Sequence, residues 1–151
     1  MKALFSLLKD FDFAAMLPDL DTFVGRVELM VRLLVLAGPV LLLVLGAMYY
    51  FKPPKEANYA WGFRTYFGMG SVEVWRFTQK IAGLCWIALG GVLTVIMLIV
   101  GLFYGGMNAM EIVTSAVWCV GIELVLVIAS WVGINMVVLK FFDKDGNRRQ
   151  Q

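Results

Sequence analysis

The chain has 151 residues, 61% of them hydrophobic and only 16% charged, with a mean hydropathy of +0.81. A soluble domain carries about 45–50% apolar and about 25% charged residues; the excess here falls in long runs, which excludes an ordinary water-soluble globule and marks a membrane protein. The formal net charge of +2 gives no basis for nucleic-acid binding, and the absence of histidine removes the commonest general base, the commonest metal ligand and the usual neutral-pH switch.

Residues Met1 to Leu17 read as an amphipathic helix, with Leu4, Leu8, Phe11 and Ala15 at helical spacing. Lys9 interrupts its apolar stretch too early for a secretory signal. The segment 1–20 is therefore either a helix lying in the membrane interface or one covering the bundle. Pro18 and Asp19 break it, and Asp21 is placed to cap the next helix.

The rest, 21–151, reads as an all-α membrane domain with spans at about 27–51, 81–104 and 112–139, a connector at 52–80 and a polar tail at 140–151. In the first span Arg32 is expected to snorkel to the headgroups, Gly38-Pro39 interrupts the helix mid-way, and Tyr49 and Tyr50 form an interface belt. Lys52-Pro53-Pro54-Lys55 is a sharp stop. In the second span Gly83, Gly90, Gly101 and Gly105 share a face with Ile87 and Thr94. Small residues there let helix backbones approach, so this face packs against a helix of the same chain or of a second copy in a homodimer. Gly105 to Asn108 forms a tight turn before the third span. Cys85 and Cys119 lie in apolar runs near opposite membrane faces, beyond the ~7 Å reach of a disulfide, and read as packing residues.

Lys52, Lys55, Arg64, Arg76 and Lys80 in the connector, with Lys140, Lys144, Arg148 and Arg149 in the tail, outnumber Lys2, Lys9, Arg26 and Arg32. The excess places connector and tail in the cytoplasm and the N-terminus outside.

The connector is the main place for specific chemistry. Asn58 favours a turn, Gly62 suits a positive φ or a close backbone approach, and Thr65 belongs to the same turn architecture. Arg64 offers a planar fork, either for an anionic group on a lipid head or other partner, or for an internal clamp to Glu73, Glu56 or helix-end carbonyls. Ser71 is an N-cap with Glu73 in the first turn, Trp75 an interface anchor, and Arg76 and Lys80 are solvated charges within reach of anionic lipid.

In the third span Glu123 is the one acid well inside the membrane, sharing a face with Cys119 and Ser130, with Asn135 nearby. An ionised side chain there costs ~2.5–3.5 kcal/mol, so Glu123 faces a proton, a cation or an incoming peptide, or glues helices, for instance through Thr94. No nucleophile–base pair, metal cluster or phosphate loop appears, so no enzyme, cofactor or metal site is expected.

The strings NYAWGFRT (58–65), SVEVW (71–75) and TQKIAG (78–83) resemble the signature of the SdpI/YfhL family, bacterial membrane proteins that include immunity factors against a secreted toxic peptide. The family pattern is Asn-x-x-x-Gly-x-Arg-Thr, then Ser-x-x-x-Trp, then a basic segment ending in glycine at the start of a transmembrane helix. This chain has Tyr66 where relatives often have proline, and Gln79 where they often have histidine. The resemblance implies a self-protection protein of the bacterial cell membrane that binds or excludes a membrane-active peptide and recruits a cytoplasmic regulator. Asn58, Gly62, Arg64, Thr65, Ser71, Trp75, Arg76 and Lys80 are its motif residues. Two other readings stand beside it: a small transporter or ion pathway using Glu123, and a structural subunit of a larger membrane complex.

Overall fold

The computed structural model describes residues 20–57, 61–143 and 146–149, with side chains from Phe23 onward. The amphipathic segment expected at 1–17, and Asn58, lie outside the described residues. The elements are α1 (Leu20–Phe51), a 3-10 turn Phe67–Met69, α2 (Val72–Phe103), a 3-10 turn Tyr104–Gly106 and α3 (Ala109–Phe141). The fold is all-α, as expected. Each of the three helices is long and apolar enough to cross a membrane; the shortest apolar stretch, Phe23–Phe51, has 29 residues. At ~1.5 Å per residue that exceeds a hydrocarbon core of ~30 Å.

The helix ends follow local chemistry. α1 runs through Pro39 and stops at Phe51, before Pro53-Pro54. Asp21 falls inside α1, not ahead of it. α2 begins earlier than its apolar run, because Ser71 caps it: the hydroxyl accepts from the Val74 N–H at 3.3 Å. Its first turns are amphipathic, with Val74, Trp75, Thr78 and Gln79 buried and Glu73, Arg76 and Lys80 exposed. α3 opens on a reciprocal capping box. Asn108 Oδ1 accepts from the Glu111 N–H at 3.0 Å, and Glu111 Oε2 from the Asn108 N–H at 2.9 Å.

α1 and α2 form the most intimate pair, and α3 rests more lightly on both. Glycines set that intimacy. A Cβ on Gly83 would lie 2.6 Å from the Tyr50 nitrogen, one on Gly90 2.6 Å from the Leu43 nitrogen, and one on Gly46 2.7 Å from the Ile87 nitrogen. The two backbones touch where side chains would otherwise hold them apart. The face expected to meet another helix therefore meets α1 of the same chain, and a homodimer through Gly83 and Gly90 would have to displace that helix. Gly101 and Gly105 continue the notch. There the aliphatic stem of Arg32 and its guanidinium, paired with Glu28 one turn earlier, lie against them. Arg32 is thus partnered on its own helix, not simply extended toward headgroups.

The outward surfaces carry large apolar side chains, among them Leu33, Leu41, Leu98, Leu102, Trp118 and Val125. A bilayer solvates such a surface. The tail beyond α3 folds back: Phe142 and Arg148 form an antiparallel bridge, and the Arg149 N–H donates to the Phe141 carbonyl at 2.9 Å.

Candidate functional site: a locked connector and an intramembrane carboxyl

The connector is held against α2 by the motif side chains. Gln79 is fully buried, and its amide pairs with both backbone groups of Phe63: Nε2 donates to the Phe63 carbonyl, and Oε1 accepts from the Phe63 N–H, each at 2.8 Å. Only a side chain with a donor and an acceptor side by side can do this, and an amide has both. Gly62 sits just before it at φ +119°. A Cβ there would lie 2.7 Å from the Trp75 ring and 3.2 Å from Gln79 Oε1. Trp75 is completely buried, and its indole N–H donates to the Pro54 carbonyl at 2.9 Å. It pins the connector's start to α2 and is not an interface anchor.

Thr65, also buried, accepts from the Gly68 N–H at 3.0 Å and so opens the 3-10 turn. Ser71 does two jobs. Besides capping α2, its hydroxyl donates to the Gly146 carbonyl at 3.1 Å, which ties the tail to the connector. Gly146 has φ +79°, and a Cβ on it would lie 3.1 Å from the Gly70 carbonyl carbon.

Arg64 behaves differently from its neighbours. It is exposed and makes no ion pair or hydrogen bond to a described residue, so the internal clamp to Glu73 or helix-end carbonyls is not formed. It borders a groove of about 390 Å³ with Tyr49, Phe63, Trp86, Ile128 and Trp131. The Phe63 and Trp86 rings meet edge to face at 5.2 Å, and Tyr49 stands 5.6 Å from Trp86. The groove thus joins an aromatic floor to one cationic fork. Ile128 and Trp131 are exposed, so it opens on the outward face of α3.

On another side of the connector, Arg76 and Lys80 border a second cleft of about 390 Å³ with Lys55, Glu73 and, from the tail, Arg148. Phe77 and Phe142, whose rings are 5.3 Å apart, supply apolar wall. Four cations and one acid make it a basic patch at the end of the bundle.

Glu123 lies apart from all of this, about half-way along α3. It is 8% exposed, and its Oε1 has no hydrogen-bond partner among the described residues. The expected glue to Thr94 is absent: that hydroxyl donates to the Gly90 carbonyl of its own helix at 2.7 Å. Ser130 donates to the Val127 carbonyl at 2.7 Å and accepts from the Trp86 indole at 3.2 Å, which joins α2 to α3. Asn135 donates to the Trp131 carbonyl within α3. Twelve residues of helix put it ~18 Å from Glu123, so the two form no common site. The two cysteines are free thiols.

Sequence reasoning passed over Gln79 as a site residue, seeing there only a replaced histidine. Its helical spacing from Trp75, Ala82 and Gly83 is the signal that could have found it. The role of Gly146 had no local signal, because its partner is 75 positions away.

Comparison with curated proteins and with solved structures found no match. The model of the SdpI/YfhL protein family matches residues 55–138, more than half of the chain and the whole locked connector beyond its first turns. With three membrane-length helices and the motif side chains in place around Gln79 and Trp75, the chain is a membrane protein that belongs to the SdpI/YfhL family.

Proposed function

We propose that the chain is a membrane immunity protein that protects its cell from a membrane-active toxic peptide, which it engages at the connector. The single observation that carries this reading is the contrast within the motif. Gly62, Thr65, Ser71 and Trp75 are consumed in holding the connector, whereas Arg64 is left exposed over an aromatic groove. A guanidinium with no ion pair or hydrogen bond among the described residues, held beside Tyr49, Trp86 and Trp131, suits a peptide carboxylate flanked by apolar side chains. The groove's mouth lies among outward-facing residues of α3, where a membrane-embedded peptide would meet it.

In this reading the connector and tail face the cytoplasm, by the lysine and arginine bias, and the basic cleft around Arg76, Lys80 and Arg148 is the surface that a cytoplasmic regulator would meet. The test is survival of a sensitive bacterium expressing the protein and challenged with membrane-active peptides from neighbouring strains. Protection that disappears in Arg64→Ala, with membrane levels unchanged by immunoblot, supports the reading. Full protection by that variant would move the chemistry away from the connector.

A further inference from the structure

The buried carboxyl of Glu123 borders a cavity of about 390 Å³ where the three helices meet, and its wall includes Gly38, Pro39 and Leu42 of α1, Trp86 of α2, and Leu124 and Val127 of α3. Every lining side chain except Glu123 is apolar or aromatic. The space beside the carboxyl exists because position 38 is glycine: a Cβ there would lie 2.7 Å from Glu123 Oε2. The next residue is proline, which has no N–H, so the carbonyl one turn earlier, at Val35, loses its helical donor. Carboxyl and glycine notch therefore face each other across the α1–α3 contact, near mid-helix.

What would satisfy this group is constrained from several directions. Of the polar side chains inside the protein, Arg32 pairs with Glu28, Thr94 with the Gly90 carbonyl, and Ser130 with Val127 and Trp86; the buried Tyr104 hydroxyl is also without a hydrogen-bond partner among the described residues and makes no bond to the carboxyl. A metal ion needs several donors, and among the described residues no group of three His, Cys, Asp or Glu side chains could hold one. An anion is repelled by the ionised carboxyl, the form that a bound cation selects. A neutral apolar molecule would fill the space and leave Oε1 unsatisfied, which costs free energy in an apolar setting. A cationic N–H group on an apolar body meets both demands: a charge-assisted bond to the carboxyl, and burial of the body against leucines and the Trp86 ring, whose face attracts a cation. The cavity's size falls within the ~300–1,000 Å³ of small-ligand sites. Its edge includes Leu41 and Leu124, which are 59% and 57% exposed on the outward surface, so access is from the lipid side.

We propose that this cavity is a binding site for a small lipophilic ammonium ion that arrives through the bilayer, with Glu123 as the group that recognises its charge. The site adjoins the Arg64 groove, with which it shares Trp86 and Val127, but it does not depend on the peptide reading.

The test uses the full chain in nanodiscs of zwitterionic lipid, with radiolabelled 1-naphthylmethylammonium as probe and 1-naphthylmethanol as its neutral counterpart. The wild type is expected to bind the ammonium saturably at one site per chain. Glu123→Gln keeps the shape and loses the charge; it is expected to weaken ammonium binding at least about tenfold while leaving alcohol binding alike in both proteins. Leu124→Trp, at an exposed position on the cavity edge, is expected to weaken both ligands by occupying the space. Equal ammonium affinity in wild type and Glu123→Gln overturns the proposal, as does the lack of saturable ammonium binding to the wild type. Should Glu123→Gln not fold, undiminished ammonium binding by Leu124→Trp overturns it instead.

Discussion

Individual residues in the connector divide into those that hold shape and those, Arg64 among them, that stand exposed. Gly62→Ala forces a Cβ to within 2.7 Å of the Trp75 ring, at a backbone angle of +119°. Strain of this kind costs ~1–3 kcal/mol, so thermal unfolding in detergent should show a lower midpoint than wild type. Gln79→Leu removes a donor and an acceptor together and leaves the buried Phe63 N–H and carbonyl unpaired. Each orphaned group costs ~1–3 kcal/mol. Hydrogen exchange at Phe63 should accelerate by orders of magnitude, and unchanged protection there would mean that the amide clamp is not what holds the loop. Arg64→Ala should instead leave the unfolding midpoint close to wild type, because surface side chains without partners change stability by only ~0.5 kcal/mol. An appreciable fall in that midpoint would show that the arginine braces the loop after all.

At the scale of elements, the pairing of α1 with α2 rests on glycines, and its failure should be sharp. Gly90→Val places branched carbons where the Leu43 nitrogen and the Pro39 carbonyl already lie within 3 Å. Overpacking of this kind costs ~1–3 kcal/mol where side chains can give way; here the obstacle is backbone, so the expected loss is larger. Gly106→Val, with open space around it, serves as the control that should leave the midpoint unchanged. Ser71 links two elements. Ser71→Ala should cost ~1 kcal/mol as a lost N-cap and also release the tail from the connector, seen as faster limited proteolysis after Phe142. Proteolysis at the wild-type rate would show that the bond to the Gly146 carbonyl is dispensable. The capping box at Asn108 and Glu111 was open to reading, since the pattern Asn-x-x-Glu ahead of an apolar run carries its own mechanism. The tail's return was not, because a mostly polar tail without periodicity looks the same docked or free.

For the whole molecule, the bias of basic residues toward one end predicts the orientation. In a background with Cys85 and Cys119 replaced by alanine, Gly106→Cys should react with a membrane-impermeant maleimide in intact cells, and Lys55→Cys only after permeabilisation. The reverse pattern would invert the topology and place the Arg64 groove and the basic cleft outside. The same experiment bears on function, since a regulator in the cytoplasm needs the cleft lined by Arg76, Lys80 and Arg148 on its side.

Composition and periodicity were sufficient for the class of molecule. Runs of apolar residues as long as a bilayer is thick have one stable form there, a helix that satisfies its own backbone, so three spans, their stops at Pro53 and Gly105–Gly106, and the cap at Ser71 could be read residue by residue. The motif from Asn58 to Gly83 likewise carried the family. Partnership was beyond such reading, because it depends on which residues the fold brings together across long separations. Tertiary structure alone decided that the glycine face of α2 meets α1 of the same chain, that Trp75 points inward to Pro54, and that Gln79 closes on Phe63. It alone left Arg64 exposed beside aromatic rings and set Glu123 against Gly38, because the position of a hydrogen-bonding partner in space is not a property of either residue's neighbours in sequence.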